Sequence, residues 1–521
     1  MNYKLLGKIL GKIMIIEGIL MLGPFIVSLV YGEGVLNAFA FIIPIVLLAG
    51  LGVVLQLPKP KRSSLYQKEG FALVALAWIV MTLFGALPFV INGDIPNYID
   101  ACFEIMSGFT TTGASIIENI GKMSNSTLFW RSFSHWIGGM GILAFVLIFI
   151  PESEDGSSMH LLRAESPGPQ VGKMLSKMKL TTGILYLIYF GLTVLEVILL
   201  MFDEPIAGYE GEKFFFSLLA TFGTAGTGGF GFIPGSMELY SAYSQYVIAT
   251  FLYIFGINFG LYYLLLIGKI KDVIRSEELR TYVMIVVIAV GLIFLSLVGN
   301  FGDFPQDYTT EEAFRHSYFQ VASIMTTAGY STTDFNLWPN LALSVIIAIM
   351  LFGGMAGSTA GGMKLSRLVI AVKGIYISIR KLINPRYVPK AKFEGKTLEE
   401  KTISDVFAFI TMYFMLFFVV VIILCFDPVN GTTVVITPDA VAQEVIEGRS
   451  YSVTHGMFSN ISATLACISN IGPGLEAVGP YASFAGFSWF SKIVLTLTML
   501  IGRLEILPVL ILFSPSTWKK A

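Results

Sequence analysis

Four short stretches rich in glycine and hydroxyl residues are the positions in this sequence best suited to chemistry: Ser107-Gly-Phe-Thr-Thr-Thr-Gly-Ala114, Phe222-Gly-Thr-Ala-Gly-Thr-Gly-Gly-Phe230, Ser323-Ile-Met-Thr-Thr-Ala-Gly-Tyr330 and Cys467-Ile-Ser-Asn-Ile-Gly-Pro-Gly474. The chemistry they suit is the holding of a dehydrated monovalent cation. Such an ion needs oxygen ligands from several directions, and a ring of backbone carbonyls supplies them when extended segments from four units meet on an axis. Glycine, without a Cβ, admits φ > 0 and lets chains approach closely, and a neighbouring threonine can add a hydroxyl. One such turn alone reads equally well as a packing device, with small residues between helices and hydroxyls bonded back to the preceding turn. Aligned on Gly113, Gly228, Gly329 and Gly472, however, the four form a diverged internal repeat with a period of roughly 100 to 140 residues, and repeats of that length in a transport protein surround a pathway.

The elements that position these turns follow from the apolar pattern. Each turn comes after an amphipathic stretch too short to span a bilayer and before a full span, so a short helix aims its negative C-terminal dipole at the ion site. Non-helical backbone at membrane depth survives only when it is buried in protein or lines a wet cavity, and four equivalent breaks satisfy that condition together. Of the 521 residues 55% are hydrophobic and 13% charged, with a mean hydropathy of +0.74; a soluble domain carries about 25% charge, so a soluble globular fold is excluded. The net charge of −1 excludes a nucleic-acid footprint.

Expected spans fall at 11–31, 36–57, 70–92, 128–150, 181–202, 243–267, 282–301, 341–375, 404–426 and 486–514, each long enough for a tilted helix. Basic residues collect in alternate loops: Lys59, Lys61, Arg62 and Lys68; Arg163, Lys173, Lys177 and Lys179; Lys269, Lys271, Arg275 and Arg280; Lys373, Arg380, Lys381, Arg386, Lys390 and Lys392. By the positive-inside rule these loops and both termini are cytoplasmic. Lys4, Lys8 and Lys12 precede the first apolar run, which is expected to remain as an uncleaved span. The opposite loops are acidic, with Asp94 and Asp100; Asp203, Glu210 and Glu212; Asp303, Asp307, Glu311 and Glu312; and Asp427, Asp439, Glu444 and Glu447. They read either as solvated loops or as vestibules that attract cations.

Other intramembrane features are fewer. The run at 341–375 is too long for one straight helix and is interrupted by Gly353, Gly354, Gly357, Gly361 and Gly362, which predicts a break in a cavity or protein surround. Arg503 lies well inside the last span, where an unpaired cation is costly enough to mark function; Glu505, two residues on, faces another direction. Glu17, Asn258, Arg131 and His135 are read as structural contacts. Cys102, Cys425 and Cys467, and His135, His160, His316 and His455, are scattered, so neither a disulfide framework nor a zinc or haem centre is expected. The glycine runs follow no predicted strand and lack the GK[ST] ending, so no nucleotide-binding fingerprint is present.

The turns resemble the pore loops of the Trk/Ktr/HKT superfamily of cation transporters, and within it the bacterial TrkH/TrkG potassium-uptake subunits. Gly353-Gly-Met-Ala-Gly-Ser-Thr-Ala-Gly-Gly-Met-Lys364, Ser469-Asn-Ile-Gly-Pro-Gly474 and Ile501-Gly-Arg-Leu-Glu-Ile506 sharpen the resemblance, which covers nearly the whole chain. It implies an all-α polytopic membrane protein in which four helix, pore loop, helix units surround one pore, preceded by two extra N-terminal spans. The expected division is 1–69 for those two spans and a cytoplasmic loop, then 70–180, 181–281, 282–401 and 402–521 for the four units. The resemblance also assigns the ion ligands to the two residues before each filter glycine: Thr111 and Thr112, Gly226 and Thr227, Thr327 and Ala328, Asn470 and Ile471. The second loop departs from the T-T-x-G form at Gly226 and the fourth at Asn470, which carbonyl ligation tolerates. Glycine at the filter position of all four loops, Gly113 included, goes in this superfamily with potassium preference. The resemblance further implies that Gly353 to Gly362 form an intramembrane loop that obstructs the pore, with Lys364 and Arg367 at its cytoplasmic end, and that Arg503 is an electrostatic barrier facing the pore.

The function implied is potassium uptake across a bacterial plasma (inner) membrane, in lipid, by a homodimer bound to a cytosolic ring of TrkA-like nucleotide-sensing subunits on the basic loops. Potassium is the cargo, and no prosthetic group is expected. The alternative is a secondary symporter coupled to protons or sodium. Alternating access is normally built on paired inverted repeats broken at the midplane, whereas these repeats run in one direction with breaks toward the outside. An enzyme is not expected, since no nucleophile and base pair stands out.

Overall fold

Apolar runs of bilayer length become six helical spans among the described residues: Tyr3–Val30, Val35–Gln56, Lys68–Ile91, Thr182–Leu200, Glu277–Val298 and Glu400–Leu424. The computed structural model describes residues 1–59, 66–141, 178–206, 208–299, 308–384, 391–436 and 451–518. Lys61, Arg62, Arg163, Lys173, Lys177, Arg386 and Lys390, the acidic Asp303, Asp307, Asp439, Glu444 and Glu447, His160, and the end of the fourth expected span at 142–150 lie outside them.

The first two of the six are the extra N-terminal pair, and the other four are the first helices of the four units. The N-terminal pair crosses where neither helix has a side chain: a Cβ added at Gly11 would lie 2.5 Å from the carbonyl oxygen of Gly52, and one at Gly52 would lie 2.7 Å from that of Gly11. Such close backbone approach is the packing that small residues allow in a membrane, where no hydrophobic force draws helices together. Each first helix is followed by a shorter helix that leads into one of the four glycine-rich loops: Tyr98–Phe109, Lys213–Gly226, Thr310–Met325 and Met457–Ile468.

The expected spans need correction at the second helix of the first, second and fourth units, whereas the break expected within 341–375 is present in the third. The helix Asn125–Gly139 stops after 15 residues. Ala242–Phe255 and Phe259–Leu266 are related by a 90° bend. Asn340–Met350 is separated from Leu365–Ile383 by the glycine-rich segment, and Trp489–Leu504 is parted from Ile506–Phe513 at Glu505, whose φ is +65°. A continuous apolar run hides such a break, because hydropathy registers composition and not backbone geometry. The breaks are viable because the carbonyls they free are taken up elsewhere. Thr359 Oγ1 donates to Phe255 O at 3.1 Å, Met355 N donates to Gly256 O at 3.0 Å, and Asn258 caps the next helix by accepting from Gly260 N at 2.7 Å.

The acidic residues at the ends of the first helices have a structural task that the sequence reading missed. Asp94 accepts from Ser124 Oγ at 2.9 Å and Thr127 Oγ1 at 2.5 Å, Asp427 accepts from Ser488 Oγ at 2.6 Å, and Asp203 accepts from Ser241 and Ser244. In three units, therefore, the acid latches the first helix onto the N-terminus of the second, where its charge suits the helix dipole. Asp100 pairs with Lys492 at 2.8 Å. These four are not free vestibule charges. The insertion after Asp427 contributes strand Thr433–Ile436, paired antiparallel with Tyr451–Thr454.

Candidate functional site

Each short pore helix ends in the same way. Thr111, Thr227, Thr327 and Asn470 have φ of 54°, 52°, 60° and 54°, a left-handed conformation rare for residues with a Cβ and met where surrounding structure enforces it. One residue later the backbone N–H turns back on the helix: Thr112 N to Ser107 O at 2.8 Å, Gly228 N to Gly223 O at 2.8 Å, Ala328 N to Ser323 O at 2.7 Å and Ile471 N to Ala466 O at 2.8 Å. This shared closure fixes the register between units. It aligns Gly113, Gly329 and Gly472 with Gly229, so the sequence alignment on Gly228 was one residue out in the second loop. The equivalents of Thr111 and Thr112 there are Thr227 and Gly228, and Gly226 is the last residue of the pore helix.

The four glycines so aligned pack in a ring. A Cβ at Gly113 would lie 2.9 Å from Gly229 N; at Gly229, 2.4 Å from Tyr330 N and 2.5 Å from Gly329 C; at Gly329, 2.1 Å from Ile471 O; and at Gly472, 2.7 Å from Thr112 O and 2.9 Å from Gly113 C. Each loop thus leans on the next until the fourth returns to the first, and only glycine fits at the contacts. Gly228 instead backs onto a wall, its absent Cβ being 2.4 Å from His135 Nδ1.

The side chains of Thr112, Thr227, Thr327 and Asn470 bond to the scaffold. The Thr112 hydroxyl is bonded to Thr110 Oγ1 at 2.8 Å and accepts from Asn470 Nδ2 at 2.9 Å; that same amide donates to Met499 O at 2.9 Å. Thr227 Oγ1 donates to Gly226 O at 2.7 Å. Thr327 Oγ1 accepts from Gly361 N at 2.6 Å. Thr111 Oγ1 and Asn470 Oδ1 are buried with no hydrogen-bond partner; apart from these two atoms, the polar groups left to face an ion are the main-chain carbonyls, and the C-termini of the short helices add their negative ends behind them.

The glycine-rich segment lies against the first residues of these loops. A Cβ at Gly361 would meet Asn470 Cβ at 2.7 Å and Ser469 O at 3.1 Å, and one at Gly362 would meet Ser469 O at 3.2 Å. Gly353 and Gly362 close the base of the segment, where Gly353 N donates to Met363 O at 2.9 Å. Gly354 packs under Gly256 O, 2.8 Å from its would-be Cβ, and Gly357, at φ +77°, packs beside Asn258. Glu278 clamps both ends of the segment, its Oε1 accepting from Ala356 N at 2.8 Å and Ser366 N at 3.0 Å. The backbone N–H of Glu278 in turn donates to Glu394 at 3.0 Å. Lys364 is buried and donates to Ala360 O. Arg367 pairs with Glu505.

Arg503 reaches across from the fourth unit. Its Nη1 donates to Thr359 O at 2.9 Å, and its Nη2 donates to Gly138 O at 2.5 Å and Gly139 O at 2.9 Å. It therefore ties the segment to the open end of the first unit's second helix. Of the remaining polar groups, His135 Nδ1 lies 2.8 Å from Gly108 O, behind the first loop, and Glu17 is buried near Gly85 with no hydrogen-bond partner for either carboxylate oxygen.

The sequence matches the family model described as TrkH, a cation transport protein, over residues 37–520. It is 30% identical to the Trk system potassium uptake protein TrkH of Halomonas elongata over 526 residues, covering 100% of both chains. With the Trk system potassium uptake protein TrkH of Escherichia coli (strain K12) it shares 31% identity over 527 residues, again covering 100% of both. The fold superposes on the crystal structure of the potassium transporter TrkH from Vibrio parahaemolyticus with a TM-score of 0.81, at 28% identity and full coverage of both chains. A match of this extent, over the loops and the broken helices alike, identifies the chain as a membrane transport protein and not an enzyme, and it belongs to the TrkH family of cation transport proteins.

Proposed function

We propose that this protein carries potassium ions into a bacterial cell through the ring formed by its four loops. The ion is held by the carbonyl oxygens of Thr111 and Thr112, Thr227 and Gly228, Thr327 and Ala328, and Asn470 and Ile471. This set replaces Gly226 by Gly228 in the second loop. Gly113, Gly229, Gly329 and Gly472 let the four strands close around it. The observation that carries this reading is the cyclic contact of those glycines, because four segments each leaning on the next have an axis, and carbonyl rings on an axis replace a hydration shell. The names of the relatives supply the ion.

The segment from Gly353 to Gly362 is the gate. It touches Thr327, Ser469 and Asn470, so an ion leaving the filter meets it first. Arg503, held against Thr359, adds positive charge at the same level and raises the electrostatic barrier to a cation. The face carrying Lys269, Arg275, Arg380 and Lys381 is cytoplasmic, with both termini, by the distribution of basic residues. A homodimer working with a cytosolic nucleotide-binding regulatory subunit fits the absence of a nucleotide fingerprint in the chain's own sequence.

The test is the reversal potential of the purified protein in liposomes under opposed potassium and sodium gradients, beside Gly113→Ser. Wild type is expected to reverse near the potassium equilibrium and the variant to move toward sodium. A protein that passes no cation current, or a variant with unchanged selectivity, would mean that the ring is a packing device. Repeating the flux with and without a proton gradient separates conduction from symport.

A further inference from the structure

Behind the first and second filter strands lies a buried ion pair that the carbonyl mechanism does not use. Glu104 on the first pore helix and Arg131 on the second helix of the first unit are 0% and 1% exposed, and Arg131 Nη2 is 2.7 Å from Glu104 Oε1. Among the described ion pairs it is the one with both partners wholly inside the protein. Its remaining bonds go to the strands that leave the filter glycines. Glu104 accepts from Ser115 Oγ at 3.0 Å and Ile116 N at 2.9 Å, just past Gly113. Arg131 Nη1 donates to Gly231 O at 2.9 Å, just past Gly229, and its guanidinium lies 4.2 Å from the centre of the Phe230 ring. One charged pair thereby ties the first filter strand to the second.

The other strands are tied differently. At the same distance ahead of the left-handed residue, the second, third and fourth loops carry Ala220, Gln320 and Ala463 in place of Glu104. The third strand is held by Ser323 Oγ donating to Tyr330 O at 2.6 Å, and the fourth by Ser462, which bonds Leu475 O at 3.0 Å and Leu475 N at 3.1 Å. Those ties are neutral and stay within one unit, and the bonds that these strands make across units, Ser331 N to Ser236 Oγ at 3.3 Å and Glu476 N to Asn336 Oδ1 at 3.0 Å, involve no ion pair. A buried charge pair is a poor source of stability, because desolvation offsets its attraction, and its best-attested use is to fix one geometry among several.

We propose that Glu104 and Arg131 are specificity-determining positioning residues: they fix the separation of the first two filter strands, and rejection of sodium depends on that fixed separation. The inference rests on reading the four loops as the ion filter. A carbonyl ring discriminates against a smaller ion only if it resists closing onto it, through cavity size or through the number of dipoles it can present. Glu104 and Arg131 touch no ion; they act through the strands.

The experiment measures bi-ionic potassium and sodium reversal potentials in liposomes for wild type, Gly113→Ser, Arg131→Lys and Ser115→Ala. Lysine keeps the charge facing Glu104 but lacks the second arm that reaches Gly231. Loss of one such charge-assisted bond is expected to raise the sodium-to-potassium permeability ratio roughly tenfold while potassium flux persists. Ser115→Ala removes the hydroxyl between the two charges and leaves both in place, with a smaller rise in the same direction. If Gly113→Ser shifts selectivity while folded Arg131→Lys and Ser115→Ala do not, the pair is scaffold only and the inference falls. If Gly113→Ser is also without effect, the filter reading itself falls and takes the inference with it. Should Arg131→Lys fail to fold, Ser115→Ala decides alone, a rise supporting the inference and an unchanged ratio overturning it.

Discussion

Arg503 holds the carbonyl of Thr359 at 2.9 Å while the other arm of the same guanidinium holds Gly138 and Gly139, so one side chain of the fourth unit staples the third unit's intramembrane segment to the first. A hydrogen bond to a charged group is worth about 1.5–3 kcal/mol. Removing all three should free the segment and lower the barrier together. Arg503→Gln is expected to raise potassium flux in liposomes about tenfold or more, since each 1.4 kcal/mol is a factor of ten. Arg503→Lys, which keeps the charge but not the fork, should give an intermediate rise. Unchanged flux in Arg503→Gln would remove both the staple and the barrier from the account.

The register of the second loop gives a sharper prediction. Alanine at Gly229 meets backbone, 2.4 Å from Tyr330 N, and backbone in a four-strand ring cannot yield. Alanine at Gly228 meets the His135 imidazole, a side chain that can be made smaller. Gly229→Ala should therefore lose ion flux whatever stands at position 135. Gly228→Ala should recover part of its flux when combined with His135→Asn. Equal rescue of both, measured as rubidium uptake into vesicles, would contradict the assignment of Gly229 to the ring.

The sequence displays the ring's parts more readily than their order. Gly-Thr-Gly-Gly at 226–229 contains two glycines after one threonine, and spacing cannot say which belongs with Gly113. What decides is the left-handed backbone at Thr227, a conformation that no residue type announces when the side chain is threonine. The six helical spans follow from apolar runs alone, but the bend between Phe255 and Phe259 interrupts a largely apolar run in which Gly256 and the capping Asn258 are the local signals. It is made possible by donors about a hundred residues away, Met355 N and Thr359 Oγ1, which take up the carbonyls of Gly256 and Phe255. Acidic residues such as Asp203 and Asp427 were visible as charge, whereas their bonds to serines on the next helix depend on how two helices dock. Local pattern reveals elements, and long-range hydrogen bonding decides their use.

Glu278 receives two backbone donors, Ala356 N and Ser366 N, one from each side of the glycine-rich turn. Glu278→Ala would orphan both, at a cost of about 1–3 kcal/mol for each buried group left unsatisfied. The expected result is a lower thermal midpoint together with higher basal potassium flux, because the segment loses its clamp. Glu278→Gln keeps one acceptor and should show a smaller change in each. A drop in stability with flux unaltered would show that the clamp serves folding and not the gate.

Asp427 links acidity to the helix that carries Arg503. Burial raises the affinity of its carboxyl for a proton, but the bonds from Ser488, Ser491 and Val429 N outweigh burial and hold it below the ordinary value of 3.8. A group whose folded-state value is depressed contributes stability that is fully present above its unfolded value and is lost as pH falls through the folded one. The latch to Ser488 should therefore support the Trp489–Leu504 helix undiminished at neutral pH and fail only in acid. Asp427→Asn removes the charge at every pH and is expected to cost about 1 kcal/mol at pH 7, the usual worth of a helix cap. The thermal midpoints of wild type and variant should then converge as the pH is taken below 3.8. A gap that stayed constant into acid would mean that the lost stability came from packing around Asp427 and not from its charge.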